Sequence, residues 1–539
     1  FLPVAISLMV TFESSIMMLG LPAEIYVYGA QWWIGTIGYL CAKVLSMFIM
    51  VPLIHPLKIT SAYEYLLLRF NSTGVRLLGT VLGMLSYTWY MGIVLFGPAI
   101  ALEAVTGFPL WGSIFIVAFV AVIYTTIGGL KAVVWTDVFQ ALVMYAGMMA
   151  ILIKGTMDVG SPSKVWEIAN KGGRLNFFNF DPDPRVRHTF WNLFFGSLIR
   201  GLAFCFSQAT IQRIGATNSR REATWVIGIA TPCHFLASTL ACYEGVVAYA
   251  FYESKGCDPL ASGKITNSNQ IIPFTVMDIF NRLPGMPGLF LASLFSASLS
   301  TLSSGLSSLS ALLWTDVIKP RIGDVSEFKA TFIAKISVVM FGLLGCGVAI
   351  LVSLVGGPMM QVFASLSAGF AGPLTGLFLL GCFCPQANAK GTLIGVVLSL
   401  ILSTWLSMGK SFSKSVKKLP WLDPASSAMC DANSTVSDAL AAMMELTTSA
   451  SGYTDTMMNS SVLYQGHDLG YGSYYTGHDL AFTSVGQPSF VPTTPAAVSA
   501  AQDDEPQGID IVYTLSYMWL APVGIILTLV LGNICSLLT

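Results

Sequence analysis

The sequence carries very little charge for its length. Only 10% of its 539 residues are charged, whereas a soluble domain carries about 25%. Instead 54% of the residues are hydrophobic, and the mean hydropathy is +0.70. Since 27 basic residues stand against 28 acidic ones, the chain also lacks the positive excess that nucleic acid would attract. These shortages exclude an ordinary soluble domain and a nucleic-acid partner, and they indicate that lipid covers much of the surface.

Motifs of other functional classes are missing as well. The sequence holds no His-Glu-x-x-His metal motif, and Gly409-Lys410-Ser411 lacks the upstream glycine of a phosphate-binding loop, because position 404 is Thr. No repeated pore element of an ion channel is visible. We therefore expect neither an enzyme nor a channel, while a solute sensor remains an alternative.

Long apolar runs are abundant. A helix needs roughly 20 apolar residues to cross a bilayer core of about 30 Å. Runs of that length begin near residues 1, 34, 76, 110, 133, 189, 223, 285, 330, 358, 388 and 513. The pattern predicts an all-α, multi-pass membrane protein with about twelve spans, which we place in the plasma membrane.

Basic residues in the short connections set the orientation. The connections on one side contain Lys58, Arg69, Arg76, Lys131, Arg213, Arg220, Arg221, Lys319, Arg321 and Lys390. The short connections on the other side, near residues 21–33 and 106–109, contain no basic residue. Because short cytoplasmic loops carry an excess of Lys and Arg, the first side is predicted to face the cytoplasm.

The stretch 409–511 is then a long external loop between a core at 1–408 and a last span at 512–539. It is rich in Ser, Thr, Tyr and Gly, and it repeats Gly-His-Asp-Leu at 466–469 and 477–480. A metal site at the two histidines is an alternative, but low-complexity sequence is the favoured interpretation. Glycosylation sequons at Asn433 and Asn459 agree with an external position, whereas the sequon at Asn71 falls on the inner side and should stay unused.

Most of the ten cysteines lie in apolar runs, where they behave as small hydrophobic residues. Only Cys257 and Cys430 fall in long polar loops. A disulfide between them is compatible with an external position of both loops, although sequence does not fix its geometry.

Polar residues inside apolar spans are costly and therefore mark functional sites. The densest group runs from Ser296 to Ser310, where nine of fifteen residues carry a hydroxyl, and its members Ala297, Ser300, Thr301 and Ser304 share one helical face. Neutral hydroxyls and free peptide carbonyls suit a sodium ion. The alternative is that small residues only allow close helix packing.

Two spans carry interruptions at comparable places. The first span is interrupted by Thr11, Glu13, Ser14 and Ser15, and the span near 189 by Gly196, Arg200 and Gly201. Broken helices are tolerated only where they line an enclosed cavity or a water path, and a matching pair in two halves points to a midplane site. Residues 1–155 hold five spans and residues 189–385 hold five more, which favours a five-plus-five repeat.

A third polar group lies in GGLKAVVWTDVFQ at 128–140. Asp137 and Gln140 are three residues apart and share a helical face. Asp137 could be a cation-binding residue near the inner side. Alternatively, it could interact with a helix N-terminus, where the helix dipole favours a negative charge. Both interpretations stay open on spacing alone.

Several segments resemble the sodium/solute symporter family, on the branch of monocarboxylate, multivitamin and iodide transporters. They are EIYVYG at 24–29, TSAYEYLLLRFN at 60–71, the run 80–111, GGLKAVVWTDVFQ at 128–140, GGRLNFFNFDPDPRVRHTFW at 172–191 and LPGMPGLFLASLFSASLSTLSS at 283–304. The resemblance covers residues 1 to about 408 and the last span. GGRLNFFNFDPDP and Cys257-Asp258-Pro259 favour the monocarboxylate members.

The resemblance implies a LeuT-like five-plus-five inverted repeat with one extra leading helix. Since the chain starts at Phe1 in apolar sequence without signal-peptide features, we expect that helix and both tails to lie outside it. The implied sodium ligands are the hydroxyls of Ser300 and Thr301 with the carbonyls of Ala297, Val10 and Glu13, and further inside the pair Asp137 and Gln140. The implied substrate contacts are Met17, Tyr39, Tyr87, Arg200 and Phe204.

The sequence departs from the family pattern at charged positions. Glu13 and Arg200 stand where related transporters carry an uncharged and an aromatic residue, and Lys43 is a further unusual charge. Arg200 is hypothesised to bind a substrate carboxylate through two parallel hydrogen bonds; the alternatives are an internal pair with Glu13 that neutralises both charges, or pairing of Arg200 elsewhere. We expect a sodium-coupled symporter that imports a small, monocarboxylate-like organic anion by alternating access. Multivitamin transport, iodide transport and solute sensing are the alternatives.

Overall fold

The computed structural model describes residues 2–323, 325–412, 422–430, 508 and 510–539. All regular secondary structure in this part of the chain is helical. The helices are α1 (Leu2–Thr11), α2 (Leu21–Tyr28), α3 (Trp33–Ile54), α4 (Glu64–Phe70), α5 (Thr73–Thr106), α6 (Leu110–Val159), α7 (Pro162–Lys171), α8 (Phe190–Cys205), α9 (Gln208–Gly215), α10 (Arg220–Lys255), α11 (Ile271–Ile279), α12 (Met286–Leu312), α13 (Lys319–Ile322), α14 (Glu327–Val355), α15 (Met359–Phe383), α16 (Ala389–Phe412), α17 (Asp510–Tyr513) and α18 (Leu520–Leu538).

Ten helical stretches of the described chain are long and apolar enough to cross a membrane, and two bent helix pairs bring the number to twelve. The long helix α6 contributes two of these stretches, Leu110–Gly128 and Val133–Val159. The expectation of about twelve spans is thereby confirmed. Five spans precede the loop before α8 and five follow it up to α15, which matches the expected five-plus-five division.

Both predicted breaks are present. The first pair, Leu2–Thr11 and Ile16–Tyr28, bends by 55°, and the second, Phe190–Cys205 and Gln208–Gly215, bends by 53°. In the first break the side chain of Ser15 leaves its own helix and donates to the carbonyl of Val94 at 3.0 Å. In the second, Ser207 caps α9 by accepting from the backbone N–H of Thr210. Short polar side chains compete with helical hydrogen bonds in this way, so both breaks follow from local sequence.

Small residues bring α3 and α8 into close contact beside the second break. A Cβ atom at Gly38 would lie 2.3 Å from the carbonyl oxygen of Phe194, and one at Gly201 would lie 2.5 Å from the Cβ of Ala42. Because lipid tails are as apolar as the side chains, the hydrophobic effect does not drive helices together in a membrane. Helices associate there through close backbone packing of this kind. The contact fixes the wall of the central cavity, which both helices line.

The external surface includes the start of the predicted loop 409–511. Helix α16 continues to Phe412, and the backbone N–H of Leu422 donates to the carbonyl of Val27 at 3.1 Å. Cys257 and Cys430 are joined by a disulfide, so the segment 422–430 is held against the core. Asn433 and Asn459 lie outside the described residues, as does most of the loop.

Candidate functional site

The break between α1 and α2 presents peptide oxygens in the middle of the first span. The backbone N–H of Glu13 donates to the carbonyl of Val10 at 3.1 Å. The carbonyl of Thr11 faces α12, where the hydroxyl of Thr301 donates to it at 3.1 Å. The same hydroxyl also lies 3.1 Å from the carbonyl of Ala297. Oxygens of two separate spans therefore meet at one point, an arrangement in which unwound carbonyls coordinate sodium.

The structure thus brings Thr301 and Ala297 to the break that carries Val10 and Glu13. The carbonyl next to Thr301 belongs to Thr11, which the sequence did not single out as a ligand. Ser300 contributes to a different group, because its hydroxyl donates to the Oδ1 atom of Asp137 at 2.6 Å. Ser300 and Thr301 are adjacent in sequence, but Thr301 contacts the carbonyls at the helix break whereas Ser300 contacts the carboxylate of Asp137.

Asp137 is the centre of a buried polar network on the inner side. Its Oδ2 atom accepts from the hydroxyl of Ser7 at 2.5 Å and lies 3.4 Å from the Nη2 atom of Arg213. Arg213 donates through Nε to Ser7 at 2.9 Å and through Nη2 to Ser304 at 2.6 Å. We call Ser7, Asp137, Arg213, Ser300 and Ser304 the inner network. It ties α1, α6, α9 and α12 together.

Two of the five members of this network, Ser7 and Arg213, are not predicted by any sequence pattern. Ser7 lies in a run of apolar residues, and Arg213 had the pattern of an ordinary basic residue at a cytoplasmic end. The side chain of Arg213 is only 2% exposed, so it neutralises Asp137 within the protein. Removing one partner of such a buried ion pair typically costs about 3–5 kcal/mol, because the other charge is left uncompensated.

Gln140 is the second member of the predicted inner pair. It is buried, and its Oε1 atom has no hydrogen-bond partner within the described residues. Buried amide oxygens nearly always have a partner, so this oxygen is available to a bound ion or water. Asp137, by contrast, already has its contacts filled by the inner network.

Two cavities lie near the break between α1 and α2. One has a cavity volume of about 80 Å³ and the other of about 90 Å³, and both are lined by Tyr90, Arg200, Phe204 and Phe363. The first is also lined by Met17 and Tyr39 of the predicted substrate set, and the second by Tyr87. All five predicted substrate contacts, which are Met17, Tyr39, Tyr87, Arg200 and Phe204, thus lie on these walls. Lining residues without a predicted role include Trp32, Lys43, His234 and Phe363.

Arg200 faces these cavities without an acidic partner. Its guanidinium lies 5.3 Å from the centroid of the Phe363 ring, and its Nη1 atom lies 3.5 Å from the sulfur of Met518. Within the described residues no carboxylate oxygen comes within 4 Å of it. The alternative of an internal pair with Glu13 is therefore not formed: the Oε1 atom of Glu13 lies 3.5 Å from the Nδ1 atom of His234 instead.

A second ion-pair network lies on the side that the sequence predicts to be external. Arg187 donates through Nε and Nη2 to the two carboxylate oxygens of Glu24 at 2.8 and 2.9 Å, and through Nη1 to Gln361 at 2.6 Å. The hydroxyl of Tyr517 donates to Glu24 at 3.2 Å, and the Nε2 atom of His188 lies 3.0 Å from the same carboxylate. We call these five residues the outer latch. It joins α2, α15, the loop before α8 and the chain just before α18.

His188 of the outer latch lies in the loop before α8, outside the spans. Burial lowers the pKa of its imidazole below the ordinary value, although the Glu24 carboxylate opposes this shift. The imidazole is therefore neutral at physiological pH and donates or accepts one hydrogen bond in the latch. No sequence pattern indicates this role, because His188 lies in a polar loop segment.

Fold and site define the class of protein. Two broken spans, a group of hydroxyl and carbonyl oxygens between them, cavities at that level and closed contacts on both sides are the parts of an ion-coupled membrane transporter. The sequence model described as the sodium:solute symporter family matches residues 1–399. The chain belongs to this family.

Individual relatives agree. The chain is 36% identical to a rabbit (Oryctolagus cuniculus) sodium-dependent multivitamin transporter over its whole length, covering 76% of that protein. It is 40% identical to a mouse (Mus musculus) sodium-coupled monocarboxylate transporter 1 over 73% of the chain and 64% of the relative. A solved structure of a Na⁺-coupled sialic acid symporter, substrate-bound and outward-open, aligns at a TM-score of 0.66 with 26% identity, over 75% of this chain and 83% of that one.

These findings confirm several expectations. The protein is a sodium-coupled symporter with a LeuT-like helical fold, it spans the membrane many times, and its co-transported ion is sodium. The family consists of transporters and not of enzymes.

Proposed function

We propose that this symporter imports a small organic anion of the monocarboxylate type across the plasma membrane by alternating access. The observation that carries the proposal is Arg200, a buried guanidinium on the wall of two adjoining cavities with no carboxylate partner in the described chain. An uncompensated buried cation is unfavourable, and guanidinium binds carboxylate through two parallel hydrogen bonds. A carboxylate solute supplies the missing negative charge.

Sodium is assigned to the oxygens between α1 and α12. The centre of the proposed sodium site is formed by the hydroxyl of Thr301 and the carbonyls of Ala297 and Thr11. The carbonyls of Val10 and Glu13 lie in the same helix break. An ion at this point would hold the broken first span against α12 and favour the state that is open to the outside. Asp137, Gln140 and Ser300 form a second, inner group through which sodium passes or at which it binds.

Alternating access then requires the outer latch and the inner network to open in turn. In the structure both are closed, since Arg187 is paired with Glu24 and Arg213 with Asp137. Binding of sodium and solute supplies the difference in affinity that shifts the equilibrium between the two sides. The membrane potential adds about 2.3 kcal/mol per charge for each 100 mV.

Radiotracer uptake tests the proposal. Cells that express the protein are given lactate, butyrate, biotin, pantothenate or iodide, with sodium or choline in the buffer. We expect saturable, sodium-dependent uptake of at least one carboxylate. Arg200→Gln should raise its half-saturation concentration by about tenfold to a hundredfold, the range expected for a lost charge-assisted hydrogen bond.

The matched control is Arg321→Gln, because Arg321 is exposed and its guanidinium donates to the carbonyl of Val317 four residues earlier. Uptake of biotin and pantothenate without lactate or butyrate would favour the multivitamin alternative, and uptake of iodide alone would favour an inorganic anion. If Arg200→Gln reaches the cell surface normally and keeps its carboxylate affinity, the assignment of Arg200 is wrong. Solute-evoked responses without flux would indicate a sensor.

A further inference from the structure

Lys43 is a second cation on the wall of the cavity that Arg200 lines. It follows Ala42, whose Cβ atom packs against Gly201, and Arg200 precedes Gly201 in α8. Because α3 and α8 approach so closely here, the side chains of Lys43 and Arg200 start from neighbouring positions at this helix contact. They therefore lie at nearly the same depth in the membrane. The cavity therefore has two positive side chains on one wall.

Neither cation has an anionic partner within reach. The Nζ atom of Lys43 lies 5.7 Å from the centroid of the Phe12 ring, and among the described residues it has no carboxylate oxygen within 4 Å. Arg200 lies near the sulfur of Met518 and the ring of Phe363, and no carboxylate oxygen of the described residues lies within 4 Å of it. Arg200 is buried and Lys43 is half-buried. Charged groups removed from water need hydrogen-bond acceptors, and a bound anionic solute supplies them.

Glu13 is the nearest acidic residue, and it does not fill this place. Its neighbours Phe12 and Ser14 line the cavity, but Glu13 is fully buried behind them and its carboxylate lies near His234. It interacts with Lys43 over a longer range without forming an ion pair within 4 Å. Glu13 thus partly offsets the charge of Lys43, but no carboxylate of the described residues lines the cavity itself.

We propose that the preferred solute is a dianion, a short dicarboxylate whose two acidic ends are bound by Arg200 and Lys43. The inference rests on the proposed organic-anion function, and it replaces the monocarboxylate-type solute proposed there with a dicarboxylate. Arg200 takes one carboxylate through its planar fork, and the ammonium of Lys43 takes the other as a compact point charge. The ring of Phe204 between the cavities contacts the carbon chain.

Succinate and butyrate test this inference, since both have four carbons and differ in the second carboxylate. We expect sodium-dependent succinate uptake by the wild-type protein to have a half-saturation concentration at least about tenfold lower than that of butyrate. Equal values, or a preference for butyrate, would overturn the dianion proposal and leave the organic-anion function standing. Absence of sodium-dependent uptake of every anion tested would instead refute the proposed function.

Lys43→Met keeps the aliphatic stem and removes the charge. It should reduce the preference for succinate over butyrate by about tenfold or more, whereas Lys43→Arg should retain a preference for succinate. The control is Lys329→Met, an exposed lysine near the start of α14. If Lys43→Met lowers uptake of both solutes equally and Glu13→Gln restores it in the double variant, Lys43 only balances Glu13 and the proposal is wrong. Surface biotinylation shows that each variant reaches the membrane.

Discussion

At the scale of single residues, the hydroxyl of Thr301 has the most direct link to sodium. It touches a carbonyl of the broken first span and one of its own helix at 3.1 Å each. Thr301→Ala removes this oxygen without removing the carbonyls. We expect the sodium concentration for half-maximal uptake to rise by about tenfold, the effect of losing roughly 1–2 kcal/mol of ligand interaction. Uptake measured against a sodium titration gives the value.

Ser293→Ala is the matched control for this prediction. Ser293 is a buried hydroxyl residue of the same helix, and its Oγ atom donates only to the carbonyl of Phe290 one turn earlier. Its removal should leave the sodium titration in place. An unchanged sodium requirement in Thr301→Ala would show that the ion binds elsewhere, for example at the inner network.

His188 makes the outer latch sensitive to pH. Its pKa is lowered by burial in the closed latch, and an exposed imidazole has a pKa of about 6.5. The open latch therefore binds the proton more readily, so the closed latch is fully stabilised above pH about 6.5 and loses stability as the pH falls below it. The groups that face the imidazole are Glu24, Arg187 and Tyr517.

A cysteine placed at Met360 in the cavity wall reports this opening. Its labelling by an external, membrane-impermeant thiol reagent should increase severalfold between pH 7.5 and 5.5, once the rates are normalised to an exposed cysteine at Phe108. His188→Gln should abolish most of the increase. A pH-independent ratio in the parent protein would contradict the role of His188.

Helical spacing predicts which residues share one face of a helix. It does not predict which residues of other spans those side chains contact. Ser300 and Thr301 are adjacent in sequence, yet they face Asp137 and Thr11 respectively. Arg213 looked like a loop cation and is a buried partner of Asp137. Only the packing of four helices decides which acceptor each donor meets.

At the scale of helices, the contact of α3 with α8 shapes the solute cavity. A methyl group at Gly38 would lie 2.3 Å from the carbonyl oxygen of Phe194, a backbone atom that cannot turn aside. Gly38→Ala should force the two helices apart, and we expect the loss of most uptake and a lower melting temperature. Overpacking of this kind commonly costs about 1–3 kcal/mol. Melting of the purified protein by fluorescence size-exclusion chromatography measures the effect.

Gly228→Ala in α10 is the control, because the nearest atom to a Cβ there is the sulfur of Met47 at 3.8 Å. That distance is an ordinary van der Waals contact, and alanine is the better helix former. The control variant should melt no lower than the parent. Equal behaviour of both variants would mean that the α3–α8 contact is not tight in the membrane.

At the scale of the whole molecule, the orientation in the membrane can be tested through glycosylation. The distribution of basic residues places the loop with Asn433 and Asn459 outside and Asn71 inside. Replacing both loop asparagines with Gln should abolish the mobility shift that endoglycosidase treatment produces on a gel. Asn71→Gln should leave the shift as it is. A glycan that depends on Asn71 would reverse the assigned orientation.

The sequence by itself determined the membrane class, the number of spans, the two breaks and the family, because apolar length, polar interruptions and short motifs are local properties of the chain. The sequence also indicated the helix faces that carry the oxygens proposed to bind sodium and the residues that line the cavity. Only the tertiary structure decided that Ser300 turns to Asp137, that Arg213 and Arg187 close the two sides, and that Arg200 and Lys43 face one cavity without a carboxylate. Such pairings join residues that lie 76 to 163 positions apart in the chain, and no local pattern encodes contacts over that separation.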